Sequence, residues 1–193
     1  MADLAPVWPF SGLEPASYGT VAVDPPWDAG RTQRLSGRAR RTAAAWQRYT
    51  PMSVAELAAL PVADLLGPSG HVWTWVTNAV LAAGGHRELI EAWGLRPITM
   101  WTWCKDGQPG LGKYLRNTTE HVVLAVKGWG TVPDVPAPST FAVLGRSGHS
   151  VKPAAFGDLV ERVSPGPYAE LFARQQRFQW SSWGFGYETG DTL

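Results

Sequence analysis

Short apolar runs of strand length alternate with helical patterns along most of this chain, and that alternation is what most limits its fold. Runs that suit buried strands occupy residues 20–24, 71–76, 98–103, 121–126 and 168–173, with a less regular sixth at 179–183. One helical pattern starts at Ser53, where Ser53 and Glu56 have the spacing of a capping box, and is expected to reach Leu66 before Gly67-Pro68 stops it. A second is expected over 78–93, closed by Gly94 although Gly84 and Gly85 lie inside it. A third opens at Pro153, a residue accepted in a first helical turn, and ends before Ser164-Pro165-Gly166. Strands alternating with helices predict an α/β fold in which a mostly parallel central sheet carries helices on both faces. With 193 residues the chain has material for a single domain over 1–193 and not for two of ordinary size.

In open α/β sheets ligands bind beyond the carboxyl ends of the strands, so the residues after each run are those to inspect for chemistry. The sharpest feature there is Val21-Ala22-Val23-Asp24-Pro25-Pro26-Trp27. An apolar strand ends at an acid, two prolines forbid a helix and fix an extended turn, and an indole follows. Such a turn offers two acceptors, the Asp24 carboxylate and the Pro25 carbonyl, to an amino group with two hydrogens, and Trp27 to the ring that bears it. The same residues also describe a strand cap, a proline turn and a buried tryptophan. Two long segments follow strands, at 28–51 and 106–120, and long segments in small domains are commonly functional. In the first, Arg31, Arg34, Arg38, Arg40, Arg41 and Arg48 lie in a stretch from 29 to 55 without an acid, expected to be a mobile loop at 28–50. Those cations suit the phosphates of a nucleic acid, or simply a solvated loop.

Overall charge gives no such pointer, because 17 basic and 16 acidic residues leave a formal +1. The one cysteine, Cys104, excludes an internal disulfide and a multi-cysteine zinc site, and reads as a small buried hydrophobe. His71 and His149 have no metal-ligand spacing, so no metal is expected. No stretch approaches the roughly 20 apolar residues of a membrane span, and residues 1–9 lack the pattern of a signal peptide. A soluble cytoplasmic protein with no membrane partner is expected. Eleven tryptophans cluster in the strand-like runs and near the C-terminus. They read mainly as core, although aromatic faces also bind bases.

Asp24-Pro25-Pro26-Trp27 resembles the catalytic motif of the MT-A family of N6-adenine methyltransferases, and further motifs follow in that family's order. These are residues 49–52 with the helix after them, the tryptophan-rich strand at 71–77, and 101–105. Residues 110–121, Gly-Leu-Gly-Lys-Tyr-Leu-Arg-Asn-Thr-Thr-Glu-His, resemble the loop of bacterial and phage members. His149-Ser150-Val151-Lys152-Pro153 and Glu170-Leu171-Phe172-Ala173-Arg174 resemble its cofactor-side motifs, and Trp183-Gly184 follows, so the likeness covers roughly 20–186.

The resemblance implies a Rossmann-like class I methyltransferase in permuted order, using S-adenosyl-L-methionine, with the catalytic motif ahead of the cofactor strand. That order accounts for the absence of a glycine-rich fingerprint after the first strand. It implies that Asp24, Pro25, Pro26 and Trp27 form the catalytic motif, in which Asp24 and the Pro25 carbonyl hold the adenine amino group and orient its lone pair toward the cofactor's methyl sulfonium. Lys152 would meet the cofactor's methionine carboxylate near a positive helix end. Glu170 and Arg174 would lie near the ribose, with Glu170 equally readable as a strand-end cap. Gly184-Phe185-Gly186 departs from the family, whose members carry a polar pair after the glycine, which leaves the hydroxyl contacts to Gln176 or Glu188. Lys105, Asn117 and Glu120 would border the substrate pocket or else order its loop, and Arg31 and Arg34 would meet the nucleic acid. The implied reaction is methyl transfer to the N6 amino group of adenine in DNA, in a bacterial or phage-infected cell. RNA as substrate, a catalytically silent partner subunit, and assembly as a homo-oligomer or with a second subunit are the alternatives.

Overall fold

A sheet of seven strands organises the described residues. The computed structural model describes residues 8–28, 51–107, 114–145 and 151–184. Along the chain these form β1 (Tyr18–Val23), α1 (Val54–Ala58), a 3-10 turn (Val62–Leu65) and β2 (Leu66–Val76). Next come α2 (Asn78–Ala83), α3 (Gly85–Ala92), β3 (Arg96–Lys105), β4 (Thr119–Lys127) and β5 (Phe141–Leu144). Helix α4 (Ala154–Val163), β6 (Tyr168–Leu171) and β7 (Trp180–Trp183) complete them. β1 pairs in parallel with β2 and β6, β6 with β7, and β3 with β5, while β4 runs against both β2 and β3. The sheet is therefore mostly parallel, with one reversed strand. Asp24, Thr77, Asp106 and Phe172, each next after a strand's last residue, consequently lie at one edge together with Thr119, where β4 begins.

Period-two alternation decides which side chains go to which face. Val21, Val23, Val72, Val76 and Val123 pack with Leu57, Val80, Leu89 and Ile90 from α1 to α3. On the other face Ala22, Val122 and the tryptophans 73, 75, 101 and 103 pack with Phe156, Val160 and Val163 of α4. Trp73 with Trp75, and Trp101 with Trp103, sit two residues apart and so share a face. The Trp75 ring lies 4.7 Å from that of Phe156. Helices thus cover both faces, as the pattern of runs implies.

Several boundaries differ from the sequence expectation, each for a local reason. The capping box at Ser53 and Glu56 is present, but α1 ends at Ala58, because Pro61 cannot donate a helical hydrogen bond and restricts the residue before it. Gly67-Pro68 does not close a helix. It lies inside β2, where the pairing with β1 shifts register between Tyr18 and Thr20, and a missing N–H is tolerated at such an irregularity. The helix expected over 78–93 is two helices, since Gly84 adopts φ 82°, a left-handed cap that ends α2. β5 is an edge strand without an expected counterpart.

The α4 end of the sheet is tied by a buried polar cluster. Ser164 Oγ accepts the Trp73 indole N–H at 2.9 Å and lies 2.8 Å from His71 Nδ1, while His71 Nε2 accepts the Thr131 amide at 3.3 Å. With Nε2 accepting, the neutral ring carries its proton on Nδ1 and donates it to Ser164. Burial holds the His71 pKa below its ordinary value. Between the lowered folded value and the unfolded value near 6.5, the unfolded chain binds the extra proton, so this group's contribution to stability falls as pH drops through that window. We expect Ser164→Ala to lower the unfolding free energy by about 2–4 kcal/mol, because two buried donors lose their acceptor. Denaturant titration at pH 7.5 measures it, and a loss below about 0.5 kcal/mol would show the cluster to be incidental.

Candidate active site at the carboxyl edge of the sheet

Asp24 leaves the end of β1 with its side chain only 8% exposed. Its own amide donates to Leu171 O of β6 at 3.2 Å, so the backbone at the turn is fixed from the neighbouring strand. Beyond it, Pro26 O accepts the Met52 amide at 2.8 Å and the Trp27 indole N–H donates to Trp75 O at 2.9 Å. The indole is thereby held in one orientation. Pro25 O accepts the Trp27 amide at 2.8 Å, leaving one further lone pair on that carbonyl.

Around Asp24 the charges alternate in sign. Lys152 Nζ lies 2.8 Å from Asp24 Oδ1, over the Trp75 ring at 4.9 Å, and 3.6 Å from Glu120 Oε2. Arg174 Nη2 lies 3.4 Å from Asp24 Oδ2. Glu120 pairs in turn with Lys105, whose ammonium sits 4.8 Å from the centre of the Trp103 ring. The sequence Arg174, Asp24, Lys152, Glu120, Lys105 is thus one row of five charges, laid on the tryptophan face of the sheet. Burial alone would raise the Glu120 carboxyl, but the Lys152 and Lys105 ammonium groups outweigh it and hold the pKa below the usual range.

Glu170 of β6 has the opposite balance. Burial, and then repulsion from Asp24, push its pKa up to about 7 against the pull of Lys152, Arg177 and Arg174. Near neutrality this carboxyl changes charge with small changes in its surroundings.

These groups open onto a cleft of about 490 Å³ lined by Asp24, Lys152, Glu170, Arg174, Gln176 and Arg177, with Phe156 and Trp180 among its apolar walls. The volume is that of an ordinary small-molecule site. Of the residues singled out in the sequence, Asp24, Lys152, Glu170, Arg174 and Gln176 come together there. Lys105 and Glu120 join the row of charges by pairing with each other. Asn117 lies farther out, accepting from Asn78 Nδ2 at 3.3 Å. Gly184 does not line the cleft. A Cβ there would stand 2.6 Å from Ala173 N, so this glycine lets the end of β7 approach the loop that carries Arg174. Arg31, Arg34, Arg38, Arg40, Arg41, Arg48, His149, Phe185, Gly186 and Glu188 lie outside the described residues.

The sequence reading did not mark Arg177, Glu161 or Trp180, which line the same cleft. The available signal was the spacing of Arg174 and Arg177, a second cation three residues after the first. Lys152 as the partner of Asp24 was likewise illegible, since 128 positions separate them.

Residues 18–186 match the MT-A70 family. The chain is 30% identical over 177 residues to the N6-methyladenosine RNA methyltransferase MTA1 of Cryphonectria parasitica, covering 86% of this chain and 51% of that protein. It is 26% identical to the N(6)-adenine-specific methyltransferase METTL4 of Homo sapiens, over 87% of this chain and 37% of that protein. To the Type II methyltransferase M.MunI of Mycoplasma sp it is also 26% identical, over 91% of this chain and 80% of that protein. The chain therefore spans about half the length of MTA1 and little more than a third of METTL4. With the family matched over all seven strands and over every charged group of the cleft, the chain belongs to the MT-A70 family.

Proposed function

We propose that this protein transfers a methyl group from S-adenosyl-L-methionine to the N6 amino group of adenine in DNA. The single observation that carries the reading is the row of charges around Asp24, at the mouth of a cleft with room for the cofactor. The residues fit that molecule: Lys152 and Arg174 supply cations for a carboxylate, and Asp24 and Glu170 supply carboxylates for an amino group and a sulfonium. DNA is the polymer proposed because residues 110–121 resemble the loop of bacterial and phage members, and the likeness to the Type II methyltransferase extends over 91% of this chain. No helix among the described residues is long and apolar enough to cross a membrane.

When bound, the cofactor would supply an electrophilic methyl carbon and leave as a neutral thioether, and the methylated amino group would release one proton to solvent. Asp24 accepts a hydrogen bond from the adenine amino group, and the free lone pair of Pro25 O accepts the other. Held by both hydrogens, the nitrogen presents its own lone pair along one direction, which is the geometric requirement of a direct displacement. Positive charge that develops on the nitrogen is met by the Asp24 carboxylate, already ordered by Lys152 and Arg174. The pinned Trp27 ring offers a flat surface to the base, which in duplex DNA must leave the stack to reach it.

Incubation with labelled cofactor and matched DNA and RNA oligonucleotides, followed by nucleoside analysis, tests the reading. Label in N6-methyldeoxyadenosine is expected, and transfer to RNA alone would overturn the choice of polymer. Asp24→Ala is expected to lower kcat by about a hundredfold or more. Lys152→Ala is expected to weaken cofactor binding by about tenfold, more than Asp24→Ala does, because it removes a charge-assisted contact. Equal turnover of Asp24→Ala and the parent contradicts the mechanism. The Glu170 carboxyl is protonated below about pH 7 and anionic above it, and a sulfonium favours the anion. Affinity for S-adenosyl-L-methionine should therefore rise by about tenfold from pH 6 to pH 8, and the rise should vanish in Glu170→Gln. Calorimetric titration at the two pH values checks this, and the same rise in both proteins would contradict it.

A further inference from the structure

The geometry points to Arg177 as a positioning residue that pins the β6–β7 loop onto α4 across Gly157 and so sets how tightly the cleft holds its cofactor. The inference rests on the cofactor reading of the cleft. Arg177 stands on the loop between Leu171 and Trp180 that also carries Arg174 and Gln176. Its guanidinium makes contacts along one face of α4: Nε donates to Glu161 Oε1 at 2.7 Å, Nη2 to Asp158 Oδ1 at 2.6 Å and Nη1 to Ala154 O at 3.3 Å. Glu161 Oε1 also accepts the Trp180 indole N–H at 2.8 Å, so Arg177 and the first residue of β7 meet on one carboxylate.

Single ion pairs at a partly exposed surface contribute little. Here three acceptors on one helix converge on one planar group, the geometry for which an arginine and not a lysine is suited. Helix α4 is shaped to receive it. A Cβ at Gly157 would lie 2.6 Å from Arg177 Cζ and Nη1 and 2.7 Å from Nε. Glycine inside a helix is less favourable than alanine, so this position gives up helix stability. The guanidinium that fills the space accounts for it. A methyl group there would push the guanidinium, the far end of the Arg177 side chain, away from its place across Gly157 and so weaken its hold on the three acceptors. The β6–β7 loop bears the Arg174 that reaches Asp24 and the Gln176 that lines the cleft.

The test is calorimetric titration of S-adenosylhomocysteine into the parent, Arg177→Ala, Arg177→Lys, Gly157→Ala and the double variant Gly157→Ala/Arg177→Ala. Hydrogen exchange of the loop amides at 172–179 is measured on the same proteins without ligand. Arg177→Ala and Gly157→Ala are each expected to weaken binding by about tenfold, and Arg177→Lys by less, since it keeps the charge. The double variant should bind no more weakly than Arg177→Ala, because the added methyl has nothing left to displace. Exchange at 174–176 should quicken in Arg177→Ala and in Gly157→Ala. The proposal is overturned if the parent binds and both single variants bind within about twofold of it, or if their effects add in the double variant. Should the parent bind nothing, the cofactor reading fails, and the exchange measurement alone decides: unchanged exchange in Arg177→Ala overturns the pin, and quickened exchange upholds it.

Discussion

The ammonium of Lys152, 2.8 Å from one Asp24 oxygen and 3.6 Å from a Glu120 oxygen, is the contact on which the site depends. Two carboxylates that close to each other, with side chains 8% and 24% exposed, would repel strongly without a cation between them. A partly buried ion pair contributes little net stability once its desolvation is counted, so its value here is in arrangement rather than in energy. It joins the end of β1 to the segment that leads into α4, and β4 to both. Arg174 adds a second cation from the loop after β6. Asp24 is therefore an acceptor whose position is set from three separate parts of the chain.

The sheet makes that arrangement possible. Six strands run one way, and their ends bring Asp24, Phe172 and Asp106 to one edge. β4 runs the other way, so its beginning, with Glu120, lies at that same edge. Beneath the row of charges Trp75 of β2 and Trp103 of β3, set edge to face, form an apolar floor, with Lys152 over the first ring and Lys105 over the second. An aromatic face attracts a cation and also keeps water from one side of it. The tryptophans thus serve the core through their buried edges and the site through their faces.

Much of this was legible in the sequence, where a physical signal was local. The strand cores, the capping box at Ser53 and Glu56, and α4 opening after Pro153 all follow from period and capping chemistry over a few residues. The Asp24-Pro25-Pro26-Trp27 turn carried its chemistry in four consecutive positions. What escaped was set by tertiary context. Gly84 reads equally well as a helix interior or a left-handed cap, and packing decides. Pro68 argues against a strand until β2 is seen to begin with an irregular pairing. β5 has four residues at a sheet edge, with Phe141 and Val143 exposed, and so lacks the pattern of a buried strand. The partners of Lys152 and Arg177 could not be named because pairing over such separations leaves no local trace.

The central claim is that Lys152 receives the carboxylate of the cofactor, with its reacting centre turned toward Asp24, which holds the adenine amino group. A crystal structure of the protein with S-adenosylhomocysteine tests it most directly. The account predicts the ligand in the cleft, its carboxylate on Lys152, its sulfur facing Asp24 and its nucleoside along Arg174 and Gln176. Ligand density elsewhere on the molecule, with the Asp24 to Lys152 pair undisturbed, would contradict it.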